Sequence, residues 1–464
     1  MDIQILLAFI TYVLILIGIA YTFSLKDKCS VEFILGGRST NYWVTAIALQ
    51  SSDMSHWLFL GIPGMIYTSG IFKVWELLGL VFFMYLSWQF VAPKLRKVTE
   101  KLNTLTLFSY FEKRFNDTSG IIRVTAAIIS IIFFSYYISS GLVALGRVFH
   151  GTFGIDYHLG TIIGLTIILI YTLLGGFLAV AWCDFFQGLF AITMLALVAV
   201  VAYYNVDSWH AVAFAAQEKS LSLSILPSAR HLLYIPLMFF SWGPGYFGQP
   251  QLLAFFMGIK DPKNIKYAKA IGMLWQIIIM SSAVMVGLVG LAYFKSGSEM
   301  IFVSLTKTLF TPFVAGLALC AILAATLTTL DSQILSSGSI IAQDIYKKLF
   351  KKDASSCQIL WMSRVGAVLI SLFALVLSFN NSNSVYALVN YAWSGMGSAF
   401  APLVITSLYS NKVNKYGAFA GIIVGALIAG IWPYINTTIL PLVPGFPSSL
   451  TAIYLVSYLT RSKK

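Results

Sequence analysis

Apolar runs of about twenty residues recur from one end of the chain to the other, separated by short segments that hold most of its charge. Each run is long enough to cross a hydrocarbon core of about 30 Å as a helix. The pattern predicts spans at 3–23, 42–69, 72–93, 121–149, 158–176, 178–204, 231–256, 265–295, 309–346, 357–379, 384–409, 415–435 and 444–460. The first run has neither a basic leader nor a small-residue cleavage site, so it is expected to stay as a helix. No separate soluble domain interrupts the series, and residues 1–464 read as one integral membrane unit of about thirteen helices.

Composition agrees with that pattern. Hydrophobic residues make up 58% of the 464 positions and charged residues 10%, where soluble domains carry about 25% charge. A net charge of +13 would suggest nucleic acid in a soluble protein, but here the bases sit in loops between apolar runs, where they set orientation. An odd number of spans puts the termini on opposite sides. With the C-terminus in the cytoplasm, only Lys73, Arg147, Lys219, Arg230, Lys295 and Lys307 fall outside or near the outer ends, and the other 24 of the 30 Lys and Arg fall inside. That asymmetry predicts an outside N-terminus in a bacterial inner membrane. Cys29, Cys183, Cys320 and Cys357 are scattered without metal-like spacing, so free thiols are expected. Neither a P-loop nor paired haem histidines occur, which argues against an ATP-driven pump or a redox enzyme.

Two spans contain residues that weaken a helix. The second carries Gln50-Ser51-Ser52-Asp53-Met54-Ser55-His56-Trp57 followed by Gly61, Pro63 and Gly64, and the seventh carries Trp242-Gly243-Pro244-Gly245-Tyr246-Phe247-Gly248-Gln249-Pro250. Backbone freed inside a bilayer must line protein or a cavity. Broken spans five helices apart point to a transporter of two inverted five-helix repeats, with solute and ion held at the unwound stretches near 51–57 and 242–248. Ordinary proline and glycine kinks would use the same residues.

Ionisable groups at membrane depth carry functional hypotheses. Asp53, Glu76, Asp184 and Asp331 qualify. Glu76 stands three residues from Lys73, at the spacing of a surface ion pair. Asp53 could equally cap a broken helix. In the ninth span Ala325, Thr328, Thr329, Ser332 and Ser336 fall on one helix face, a hydroxyl stripe in an apolar run. Such a stripe suits helix packing, and it also suits sodium, a hard cation that takes carbonyl and hydroxyl oxygens.

Several motifs in order then become recognisable: Gly36-Gly37-Arg38-Ser39, Ser52-Asp53-Met54-Ser55, Gly175-Gly176-Phe177-Leu178-Ala179-Val180 leading to Asp184, Gly245-Tyr246-Phe247-Gly248-Gln249-Pro250, and Asp344-Ile345-Tyr346. Together they resemble the sodium:solute symporter family, and within it the bacterial sodium/proline symporters, from about residue 30 to 435. The resemblance implies an all-α polytopic protein with a LeuT-type core: repeats at 42–204 and 231–409, an extra helix at 3–23, and two further helices at 415–460.

By the same resemblance, sodium takes carbonyl oxygens of Ser51, Met54 and Ala325 and hydroxyls of Thr328 and Thr329. Asp184, Asp331 and Ser332 match the region where some relatives hold a second cation. The solute falls to Ser55, Trp57, Tyr137, Trp242, Tyr246 and Pro250, whose aromatic faces suit a pyrrolidine ring and its ammonium as well as plain packing. Asp53 and Arg38 match residues of coupling. Three positions depart from the pattern: His56 stands where glycine is usual, Asp331 where serine is usual, and Lys73 where an acid is usual. The implied function is import of a small solute, L-proline first, on the sodium gradient. Another amino acid, pantothenate or a sugar on the same fold, coupling to protons, and a sensor built on this fold are the alternatives.

Overall fold

A computed structural model describes residues 3–24, 30–206, 208–226, 232, 234–295, 300–379, 385–436 and 439–461. Cys29, Arg230 and the first residues of the spans expected from 231 and 384 lie outside the described residues. Among those described, regular structure is helical apart from an isolated parallel bridge between Thr40 and Ile259. Nine helical stretches there are long and apolar enough to cross a membrane. The interrupted second and seventh spans are not among the nine, because a break leaves two halves that are each too short.

Most boundaries fall within a few residues of the hydropathy reading. The third span runs on as Ile71–Lys101 through a π-helical stretch at Ser87–Val91, and the ninth runs as Pro312–Phe350, ending in another at Ile341–Phe350. Both extensions carry the helix past the apolar run into polar residues, where hydropathy gives no signal. Short helices at Ser30–Leu35, Leu107–Arg114, Trp209–Glu218 and Ile301–Leu309 add to the expected set, because amphipathic pieces of six to ten residues are too short to register as spans.

Hydropathy separates residues 158–176 from 178–204, and in the structure these are two helices that follow each other directly within Tyr157–Tyr204, meeting at a kink at Gly176. Forty-eight residues at 1.5 Å each reach about 72 Å, more than twice the hydrocarbon thickness. The one non-helical residue inside, Gly176, has φ 52° and ψ −152°, a conformation open essentially to glycine alone. The two spans are therefore joined by a single-residue corner.

Burial ranks the helices. The most apolar window of Pro312–Phe350 is 83% buried, against 22% for the N-terminal helix, which puts the hydroxyl-bearing helix at the centre and the first span at the edge. The central helix packs on Tyr157–Tyr204, Ile121–Phe153, Ser356–Ser378 and the N-terminal helix. Lys415–Ile435 and Leu442–Leu459 pack on each other and on Val385–Tyr409.

Candidate functional site

The first broken span begins as the helix Tyr42–Asp53, capped by the Asn41 side chain, which accepts from the Val44 N–H. Met54, at φ −88° and ψ 84°, leaves the helix, and extended Ser55 follows. A 3₁₀ turn spans His56–Leu58, and the helix resumes at Gly61–Ser69. The second broken span stops at Trp242, turns through Gly243–Phe247 and restarts at Pro250, whose missing N–H costs nothing in a first helical turn. Gly245 lets this turn approach its neighbour: a Cβ there would stand 2.3 Å from Nε1 of Trp393.

These breaks meet each other and the central helix at one place. Thr328 Oγ1 donates to Ser51 O at 2.9 Å and to Ala325 O at 3.0 Å, and Thr329 Oγ1 donates to Ala325 O at 3.2 Å. Two residues past Ser51, Asp53 accepts from the Tyr246 hydroxyl, which ties the first break to the second. Tyr137 lies beside both Asp53 and Tyr246. Trp57 and Trp242 stack across the same junction with ring centroids 6.5 Å apart and planes within 20°. Four oxygens of Ser51, Ala325, Thr328 and Thr329 thus converge beside a buried carboxylate, a donor set that suits a small hard cation. Met54, whose carbonyl is the fifth expected ligand, sits at the helix end with its backbone out of helical geometry.

A second polar cluster starts from the neighbouring residue, where Ser52 Oγ donates to Asp184 Oδ2 at 2.7 Å, and includes Asp331, whose Oδ2 accepts from the Tyr171 hydroxyl at 2.8 Å. The Asp184 and Asp331 carboxyls are both fully buried, and Oδ1 of each has no hydrogen-bond partner. Two bare carboxylates so placed repel, so the pair calls for a shared proton or a cation. Ser332 is buried nearby, its hydroxyl turned to Thr329 O at 3.0 Å.

Two further expected residues, Pro250 and Arg38, have surroundings of their own. Pro250 lines a small cavity of about 40 Å³ with Phe177, Val180, Ser332 and Ser336. Arg38 lies at the far end, donating to Met257 O at 2.7 Å, Thr104 O at 2.8 Å and Thr99 O at 3.2 Å. At the opposite end a cavity of about 450 Å³ runs from His56 and Trp57 past Trp242 and Tyr386 to Arg147, Lys73 and Glu76, a volume typical of small-molecule sites. Lys73 and Glu76 form the expected ion pair at 2.6 Å. Among the described residues no cluster of His, Cys, Asp and Glu forms a metal site, and Cys183, Cys320 and Cys357 are free thiols.

The sequence pattern of the sodium:solute symporter family matches residues 33–425. The chain belongs to that family. It is 38% identical to the high-affinity proline transporter PutP of Bacillus subtilis strain 168 over 443 residues, covering 93% of each chain. With the sodium/proline symporter of Escherichia coli K12 it shares 37% identity over 470 residues, covering 98% of this chain and 93% of that one. The structure superposes on that of a sodium-coupled sialic acid symporter in a substrate-bound outward-open state with a TM-score of 0.84 at 20% identity, covering 99% and 98%. The fold is thus the LeuT-type arrangement of a secondary transporter.

In this symporter two aromatic residues at the junction escape a reading from sequence. Trp393 packs edge-on to Tyr246 at 5.1 Å and donates its indole N–H to Trp242 O at 2.9 Å, while Tyr386 meets Trp242 at 5.7 Å. Gln249 in turn donates to Trp393 O at 3.2 Å. The available signal was the run Ser394-Gly395-Met396-Gly397-Ser398, small residues beside a lone tryptophan that let another backbone come close.

Proposed function

We propose that this symporter carries L-proline into the cell together with sodium, by alternating access around the junction of its two broken spans. The observation that carries the reading is that junction: Thr328 reaches Ser51 O while Asp53, two residues on, takes the Tyr246 hydroxyl. Sodium is assigned to the carbonyls of Ser51, Met54 and Ala325 and the hydroxyls of Thr328 and Thr329. A second cation is assigned to Asp184, Asp331 and Ser332. The solute is assigned to Ser55, Trp57, Tyr137, Trp242, Tyr246 and Pro250. Proline as cargo is supported by the proline transport that names the relatives at 37–38% identity.

An ion bound between the first break and the central helix fixes the unwound backbone in the shape that accepts solute, so each ligand raises the other's affinity by the same factor. Asp53 couples the two breaks through Tyr246, and Arg38 closes the inner end. The gradient gives direction, since one charge moving through 100 mV releases about 2.3 kcal/mol. We assign the two five-helix repeats to 42–204 and 231–409 within thirteen spans, and place the N-terminus outside and the C-terminus in the cytoplasm of an inner membrane. Lys73 and Arg147 line one cavity while Arg38, Arg96, Arg123 and Lys348 gather at the other end, which supports that orientation.

Uptake of labelled proline by proteoliposomes, with and without an inward sodium gradient, tests the proposal. Wild type should take up proline faster with the gradient. Thr328→Ala should need roughly tenfold more sodium for half-maximal uptake, as expected when one charge-assisted contact is lost. Equal wild-type rates with and without the gradient would remove sodium coupling, and preference for another amino acid, pantothenate or a sugar in a competition panel would replace the cargo.

A further inference from the structure

His56 is the one buried histidine among the described residues, 3% exposed at the heart of the first break. Its Nδ1 lies 2.7 Å from Ser55 Oγ, and its Nε2 has no hydrogen-bond partner. A buried ring nitrogen left without a partner costs free energy, which a ligand supplying the missing contact would recover. His56 lines the 450 Å³ cavity beside Trp57 and Trp242.

We propose that His56 is a specificity-determining contact for the solute: Ser55 Oγ donates to Nδ1, which fixes the ring proton on Nε2, and the Nε2–H donates to the solute carboxylate. The solute ammonium is left to the faces of Trp57 and Trp242, which line the same cavity. The inference rests on the reading of the cargo as proline and adds which residue recognises which end of it. A neutral imidazole serves this role, so no change of protonation is involved.

Competition against labelled proline uptake in proteoliposomes tests it, with three competitors: proline, prolinamide, which lacks the carboxylate, and tetrahydro-2-furoic acid, which lacks the ammonium. Wild type should favour proline over prolinamide strongly. His56→Ala should raise the KM for proline roughly ten- to hundredfold, the usual scale for a lost hydrogen bond to a charged group, and narrow the proline-to-prolinamide gap by a similar factor. The sodium concentration for half-activation at saturating proline should not move. Should His56→Ala fail to accumulate in the membrane, two further variants decide the matter: glutamine places an N–H where Nε2 stands and should keep the gap, whereas asparagine mimics Nδ1 and should lose it. A gap unchanged in His56→Ala overturns the inference, as does a narrowed preference over the furoic acid in place of the amide. Absence of proline uptake by wild type sinks the cargo reading and this inference together, while normal uptake with an unchanged gap sinks this inference alone.

Discussion

Asp53 is a buried carboxylate whose hydrogen bond from Tyr246 comes from the opposite broken span. Removing that hydroxyl leaves the carboxylate without it in a low-dielectric site, a loss of about 1–3 kcal/mol. Tyr246→Phe, which keeps the ring against Trp393, should therefore lower kcat/KM for sodium-driven uptake roughly ten- to hundredfold, and Asp53→Asn, which removes the accepting carboxylate from the other side of the same bond, should lower it as well. Initial-rate uptake over a range of proline concentrations measures both. Asp331 supports a different expectation. Its carboxylate supplies a second negative charge to the cluster, so Asp331→Ser should weaken dependence on sodium, read as a lower Hill slope of uptake against sodium concentration. An unchanged slope would leave the pair without a part in cation binding.

Gly176 forms the corner inside Tyr157–Tyr204 with a backbone that a side chain strains by about 1–3 kcal/mol. Gly176→Ala should accordingly lower the melting temperature of the detergent-solubilised protein by several degrees without changing solute preference. The helix Ile121–Phe153 offers a pH-dependent counterpart at its start. Asp117, outside the membrane spans, accepts from the N–H of Ile122 at 2.9 Å and from Ser119. Partial burial pushes its carboxyl up, but the Ser119 hydroxyl and the N–H groups of Ile122, Ser119 and Gly120 outweigh that and hold it below the usual carboxylate range. A lowered folded pKa means the stabilisation is present above the unfolded value, about 4, and lost as pH falls through the folded one. The melting-temperature advantage of wild type over Asp117→Asn should therefore be full near neutral pH and shrink below about pH 4.

The molecule as a whole is roomy at the Lys73 end and sealed at the Arg38 end. The seal is polar: Arg123 bridges Glu112 at 2.9 Å and Asp344 at 2.6 Å, Lys348 pairs with Glu112, and Thr106 donates to Asp344 at 2.8 Å. Arg38 and Arg96 add bonds to Met257 O and Ile259 O at the end of the second broken span, where Thr40 also donates to Gly258 O. A change to a form open at this end must break these bonds, because they join the helices that would separate. Arg123→Ala should shift the population toward that form, read as faster thiol labelling of a cysteine placed by Ser336→Cys, which lines the small cavity on this side. Equal labelling rates in the two backgrounds would mean the cluster does not hold the seal.

Hydropathy alone determined that the chain is helical and membrane-embedded, because a bilayer admits few other uses for twenty apolar residues in a row. The breaks expected near 51–57 and 242–248 were legible for a related reason: Gly, Pro and polar residues inside a span have no place against lipid. The hydroxyl face of Ala325, Thr328, Thr329 and Ser332 followed from helical period. What the sequence could not decide were contacts between residues far apart in it. Tyr246 meets Asp53 across 193 positions, Thr328 meets Ser51 across 277, and Trp393 joins the junction from a span with no motif of its own. The lone Nε2 of His56 likewise came to light through burial, a property of the folded chain and not of any residue read in order.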